Sequence, residues 1–188
     1  MRKTNISLNE LLDKEIEIIR EQEKEFTPDI NWFSKMDLDR LDTFMTKFQF
    51  NSFEEIPQDM SNLSFPPFEE INFELPSLLK PEHIAKLPQQ YQKKPIIIEV
   101  DGLLFLKNRG KDAFCIDPRR WHRIKTYISK GCVTYPEGLN DNFGVFDGTH
   151  RTLLLMQLYK RRFVPVVVDE NKSKEFIVAA KRLKALKI

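Results

Sequence analysis

The run Phe143-Gly144-Val145-Phe146-Asp147-Gly148-Thr149-His150-Arg151 constrains this chain more than any other stretch. A short apolar segment breaks at Asp-Gly and resumes as the leucine-rich stretch Thr152 to Tyr159. The β-branched run Val164-Pro165-Val166-Val167-Val168 follows. That order predicts strand, glycine turn, helix, strand. A helix that begins at such a turn leaves its first backbone N–H groups without intrahelical partners, and with the helix dipole they favour an anion. His150 and Arg151 place two side-chain donors at the same point, and a guanidinium suits bidentate contact with phosphate. The plainer reading is an ordinary helix cap with His150 and Arg151 on the surface.

The rest of the chain predicts an α+β fold, a small mixed sheet with packed helices and an N-terminal helical appendage. Ser7 and Glu10 form a capping-box pattern ahead of Leu8, Leu11, Leu12, Ile16 and Ile19, and a second helix is expected from Asp37. Residues 1–57 are read as the helical appendage, 58–90 as an extended Pro- and Phe-rich linker with a short helix, and 91–188 as the main domain. Within that domain Pro95 to Val100 is expected as a strand. Asp101-Gly102 is expected as a hairpin turn, with Leu103 to Leu106 as the returning strand. Asp117-Pro118 should cap a helix that Gly131 stops, burying Trp121, Ile124 and Ile128. Pro136 to Asn142 reads as a loop. Ser173 to Lys187 reads as a last helix that buries Phe176, Ile177, Ala180 and Leu183.

The net charge of +2 conceals an asymmetry. Residues 1–90 hold 10 Lys and Arg against 18 Asp and Glu, whereas residues 91–188 hold 20 against 10. The basic half would attract nucleotides, nucleic acid or an acidic protein, and the acidic half could lie against it. Two solvated charged faces are the equal alternative. Arg119, Arg120 and Arg123, with Lys125 on the same helix, are candidates for a nucleic-acid or partner surface. The aromatic residues beside them, Trp121, Tyr127 and Tyr135, read as core rather than as base-stacking platforms. Cys115 and Cys132 read as buried free thiols. No zinc-like spacing, Walker loop or nucleophile elbow occurs. No apolar run approaches the ~20 residues that span a bilayer, and no secretory leader is apparent, so a cytoplasmic protein without a membrane association is expected.

The Asp147-to-Arg151 turn, the helix behind it and the Val164–Val168 strand resemble the ParB/sulfiredoxin superfamily over about Pro95 to Asp169. Trp121, Gly131, Tyr135-Pro136 and Phe146 to Arg151 are similar to features of its plasmid fertility-inhibition and oncogenic-suppression branch. The resemblance implies that Gly148, Thr149, His150 and Arg151 bind a phosphate or nucleotide, with ATP and Mg²⁺ as the implied ligands. It implies that Asp147 orients Arg151 or His150, or holds a metal-bound water. An acidic residue is implied for hydroxyl activation. Glu137 and Asp141 are nearest in sequence, though each also reads as an exposed loop carboxylate. Thr149 stands where sulfiredoxin carries its catalytic cysteine, so sulfinic-acid reduction is not expected. Thr149 also departs from the arginine of the fertility-inhibition branch. Neither arginine-rich nucleotide boxes nor a DNA-binding helix-turn-helix is present, so a partitioning role is not expected.

Three functions follow as expectations. One is an ATP-binding enzyme with phosphoryl-transfer, ATPase or nuclease activity, in which Asp147, His150 and Glu137 are the catalytic candidates. Another is an inactive binding module that regulates a protein or nucleic-acid partner, and the third is plain nucleic-acid binding, which predicts steep salt dependence.

Overall fold

The computed structural model of the chain describes residues 47–59, 61–139 and 142–187, together with helical Leu12, Lys14, Ile16 and Glu17. The rest of the two expected N-terminal helices, and Asp141, lie outside the described residues. The architecture is a mixed α+β fold of small sheets and packed helices.

The main sheet has four strands. Strand β3 (Pro95–Asp101) pairs antiparallel with β8 (Phe163–Asp169). Beyond β8 lie β6 (Glu137–Gly138), parallel to it, and β7 (Val145–Asp147), antiparallel to β6. Helix α4 (Thr149–Tyr159) packs against β8 and against α3 (Pro118–Ser129). Its residues Thr152 to Gln157 are all buried, so its leucines face neighbours on every side rather than forming one stripe. Asp117 caps α3, its carboxylate accepting from the amides of Arg119 and Arg120 at 3.0 and 3.3 Å. Gly131, at φ 76°, follows the end of the same helix.

Two further strand pairs tie the earlier part of the chain to this core. Strand β1 (Phe48–Gln49) pairs antiparallel with β4 (Cys115–Ile116), and β2 (Asn72–Glu74) pairs parallel with β5 (Cys132–Thr134). Ile56, Ile71 and Leu79 are buried. Short helix α1 (Pro81–Ile84) lies between β2 and β3. Gln157 on α4 donates to the carbonyl of Pro57 at 2.9 Å. Lys125 of α3 is wholly buried and donates to Asp59 Oδ1 at 2.7 Å. It is therefore an internal anchor and no part of the basic surface expected beside Arg123.

Several expectations are corrected. Asp101-Gly102 is not a hairpin turn. Asp101 caps helix α2 (Gly102–Leu106), accepting from the amides of Leu103 and Leu104 at 3.1 and 3.2 Å. The partner of β3 is instead the distant β8, and Arg162 donates to Asp101 at 2.5 Å. The supposed loop after Pro136 contains β6, where any Cβ on Gly138 would meet Val168 Cγ1 at 2.7 Å. The last helix, α5 (Ser173–Arg182), ends before Lys187. Lys184 turns at φ 54°, Ala185 rather than Leu183 is buried, and Leu186 bridges to Val100. Cys115 and Cys132 are free but only half-buried. Cys132 donates to Glu74 Oε1 at 3.3 Å, and its thiol is pushed up by burial and by that carboxylate.

Candidate functional site

The strand–turn–helix unit forms where the sequence placed it. β7 ends at Asp147, Gly148 takes a left-handed conformation at φ 106°, and α4 starts at Thr149. Glycine is required twice over here: the φ is strained for other residues, and a Cβ would lie 2.7 Å from Pro136 Cα. Gly148 offers no side-chain cap, and its carbonyl accepts from the Thr152 amide at 2.9 Å and from Thr152 Oγ1 at 3.1 Å. The amides of the first turn therefore have no intrahelical acceptor.

Arg151 folds back over the turn. Its guanidinium donates to the carbonyls of Tyr135 at 2.9 Å and Thr134 at 3.3 Å and forms an ion pair with Asp147. Only 12% of its side chain is exposed, against 64% for Asp147. Arg151 thus ties the turn to the connection between β5 and β6.

His150 is held at Nε2, which accepts the backbone N–H of Asp117 at 2.9 Å. An accepting Nε2 leaves the ring proton on Nδ1. Burial pushes the imidazole from its ordinary 6.5 down to about 4; Asp117 opposes this, while Arg120 and Lys47 add to it. His150 is therefore neutral near pH 7 and offers one donor, Nδ1–H, without a charge. For Asp117, burial favours the neutral acid, but the Arg120 and Arg119 amides and the Arg119 charge outweigh it and hold the carboxyl below the usual range.

The turn opens into a cleft of about 770 Å³. It is lined by Phe146 to Arg151, by Arg120, Arg123, Ile124 and Tyr127 of α3, and by the segment 74–77. Lys47, Lys80 and Arg109 join the lining from three other parts of the chain. Six cationic side chains line it against four carboxylates, Glu74, Asp112, Asp117 and Asp147. Asp147 is engaged by Arg151, Asp117 lies 3.8 Å from Arg120, and Glu74 lies 3.6 Å from Lys80. Among the described residues Lys47, Arg109 and Arg123 have no carboxylate partner.

The structure therefore gathers Asp147, Gly148, Thr149, His150, Arg151, Arg120 and Arg123 around one cleft. Arg119 and Glu137 are not in its lining. Arg119 lies 3.6 Å from Asp117. Glu137 is not the exposed loop carboxylate the sequence suggested: it sits on β6 opposite Asp147, only 14% of its side chain is exposed, and Lys93 lies 3.9 Å away. Burial, reinforced by the Asp147 charge, raises its carboxyl above the usual range against the opposing charges of Lys93 and Arg151. Lys47, Lys80 and Arg109 escaped the sequence reading because they belong to no motif. Tyr127, read as core, is 52% exposed in the cleft. Trp121 is buried in the core, and Tyr135 is half-buried and stacks on Phe73.

Among the described residues no three His, Cys, Asp or Glu side chains group as metal ligands, and no helix is long and apolar enough to cross a membrane. No family model, curated protein or solved structure matches the chain.

Proposed function

We propose that the chain is a ParB/sulfiredoxin-like nucleotide-binding protein and that the cleft beside Gly148 takes the phosphates of ATP or a related nucleotide. The observation that carries this reading is the coincidence of the glycine turn with Lys47, Arg109 and Arg123, three cations without carboxylate partners among the described residues. Phosphate oxygens would accept from the first-turn amides at Thr149 and His150 and from these side chains. His150 contributes through Nδ1–H and through its grip on the Asp117 amide. Arg151 acts as a positioning residue, because its guanidinium is engaged by Asp147 and two carbonyls.

The reading includes turnover, either hydrolysis of ATP or a phosphodiester or transfer of a phosphoryl group. Asp147, the most exposed carboxylate of the turn, is the candidate base, and Mg²⁺ would be held between it and the phosphates. A second reading is favoured by the placement of Glu137 outside the cleft lining and by the neutral, anchored His150. In it the site binds nucleotide without turnover, and the protein regulates an acidic protein or a nucleic-acid partner.

Calorimetric titration of ATP with and without Mg²⁺ tests the site. Arg109→Ala with Arg123→Ala is expected to weaken binding by about tenfold or more, since charge-assisted contacts are each worth ~1.5–3 kcal/mol. An unmodified protein that binds no nucleotide would remove the proposal. Phosphate release that survives in the wild type and disappears in Asp147→Asn supports turnover; binding without release supports the second reading.

A further inference from the structure

We infer that the cleft receives single-stranded nucleic acid, whose backbone follows its cations and whose bases stack on Tyr127 and Phe146. The inference rests on the phosphate-binding reading of the cleft and extends it from one nucleotide to a polynucleotide.

The first ground is the distribution of charge. Lys47, Arg109, Arg120 and Arg123 line a cleft of about 770 Å³ together with the Gly148 turn. Arg120, Arg123 and Tyr127 lie on one face of α3, because residues three, four and seven apart share a side. Seven residues of helix rise ~10 Å, so that face alone presents a row rather than a point. Glu74, Asp117 and Asp147 have cations beside them, which leaves Asp112 as the one lining carboxylate without a cationic partner among the described residues.

The second ground is aromatic. Tyr127 is 52% exposed and Phe146 64% exposed, and both line the cleft. By contrast, Trp121 is in the core and Tyr135 is half-buried against Phe73. A basic groove interleaved with exposed rings is the arrangement that binds unpaired bases, since every base has a face to stack. In a duplex the base faces are already stacked on each other, so the two rings would find nothing to hold.

Fluorescence anisotropy with labelled dodecathymidylate, oligouridylate of the same length and a duplex of equal length tests the inference, with ATP titrated in parallel. The single strands should bind at least about tenfold tighter than the duplex. Tyr127→Ala and Phe146→Ala should each weaken single-strand binding by about five- to tenfold or more. Arg109→Ala with Arg123→Ala should flatten the salt dependence by about 0.7 in slope per cation removed. A preference for either sugar supports the inference and identifies the strand as DNA or RNA. Equal binding of duplex, or aromatic variants that bind single strands like the wild type, would overturn it. If ATP binds and neither oligonucleotide does, this inference falls while the nucleotide reading stands. If the oligonucleotides bind in the predicted pattern and ATP does not, the mononucleotide reading falls and this one stands.

Discussion

Gly148 and His150 carry opposite kinds of constraint within one turn. Gly148 is fixed by backbone geometry: its φ of 106° and the 2.7 Å approach of Pro136 leave no room for a Cβ. Gly148→Ala is therefore expected to lose about 2 kcal/mol of stability, a cost typical of one strained backbone position. Thermal or urea unfolding measures it, and an unchanged midpoint would refute this account of the turn. His150 is fixed by desolvation. Its folded value near 4 lies below the ordinary 6.5, so between those pH values the unfolded chain binds a proton that the folded chain refuses. The stabilisation is complete above about pH 6.5 and is lost as pH falls toward about 4, to a total of at most ~3 kcal/mol. Urea titrations at about pH 7 and pH 5 should show His150→Asn losing less stability over that interval than the wild type. Equal losses would mean that the imidazole is not held neutral by the fold.

At the scale of elements, the sequence was legible wherever a local signal and the final structure agree. Asp117-Pro118 opens α3 and Gly131 follows its end because both signals act within a few residues. The same reasoning failed at Asp101-Gly102. An Asp before Gly suits a hairpin turn and a helix cap alike, and the choice was made by pairing of β3 with β8, more than sixty positions away. β6 was invisible because two residues have no period, so Glu137 was read as exposed when cross-strand neighbours half-bury it. The turn of the candidate site was legible; Lys47 and Arg109, which complete the cleft, were not, since only tertiary contact brings them there. Lys125 is the sharpest case: it reads like its neighbour Arg123, yet it is buried against Asp59 and links α3 to the segment after β1. Asp59→Ala strips the carboxylate from a buried ammonium and should cost about 3 kcal/mol. Asp59→Ala combined with Lys125→Met should recover most of that loss, and a double-mutant cycle by denaturant unfolding checks it. A double variant no more stable than Asp59→Ala would show that the pair is not the link.

For the molecule as a whole, the acidic first half and basic second half divide the sequence at a point where the core does not divide. Strand β2 supplies the parallel neighbour of β5, and the backbone bond from Asn72 to Gly131 at 2.8 Å begins that pairing. Ile56, Ile71 and Leu79 are buried, Phe68 and Phe73 pack on each other, and Arg161 lies over the Phe68 ring at 3.8 Å. Removing residues 1–90 would uncover this apolar surface and leave Lys125 buried without Asp59. Full burial of three aliphatic side chains alone is worth roughly 1.5–3 kcal/mol each. Added to the lost ion pair, that is comparable with the 5–15 kcal/mol that holds a typical domain folded. A chain of residues 91–188 is therefore expected to lack a cooperative thermal transition and to lose near-ultraviolet circular dichroism while keeping helical signal. Because α3 lines the cleft and is anchored through Lys125, the same fragment should also lose nucleotide binding. A fragment that melts sharply and binds like the full chain would show that the later half carries both fold and site unaided.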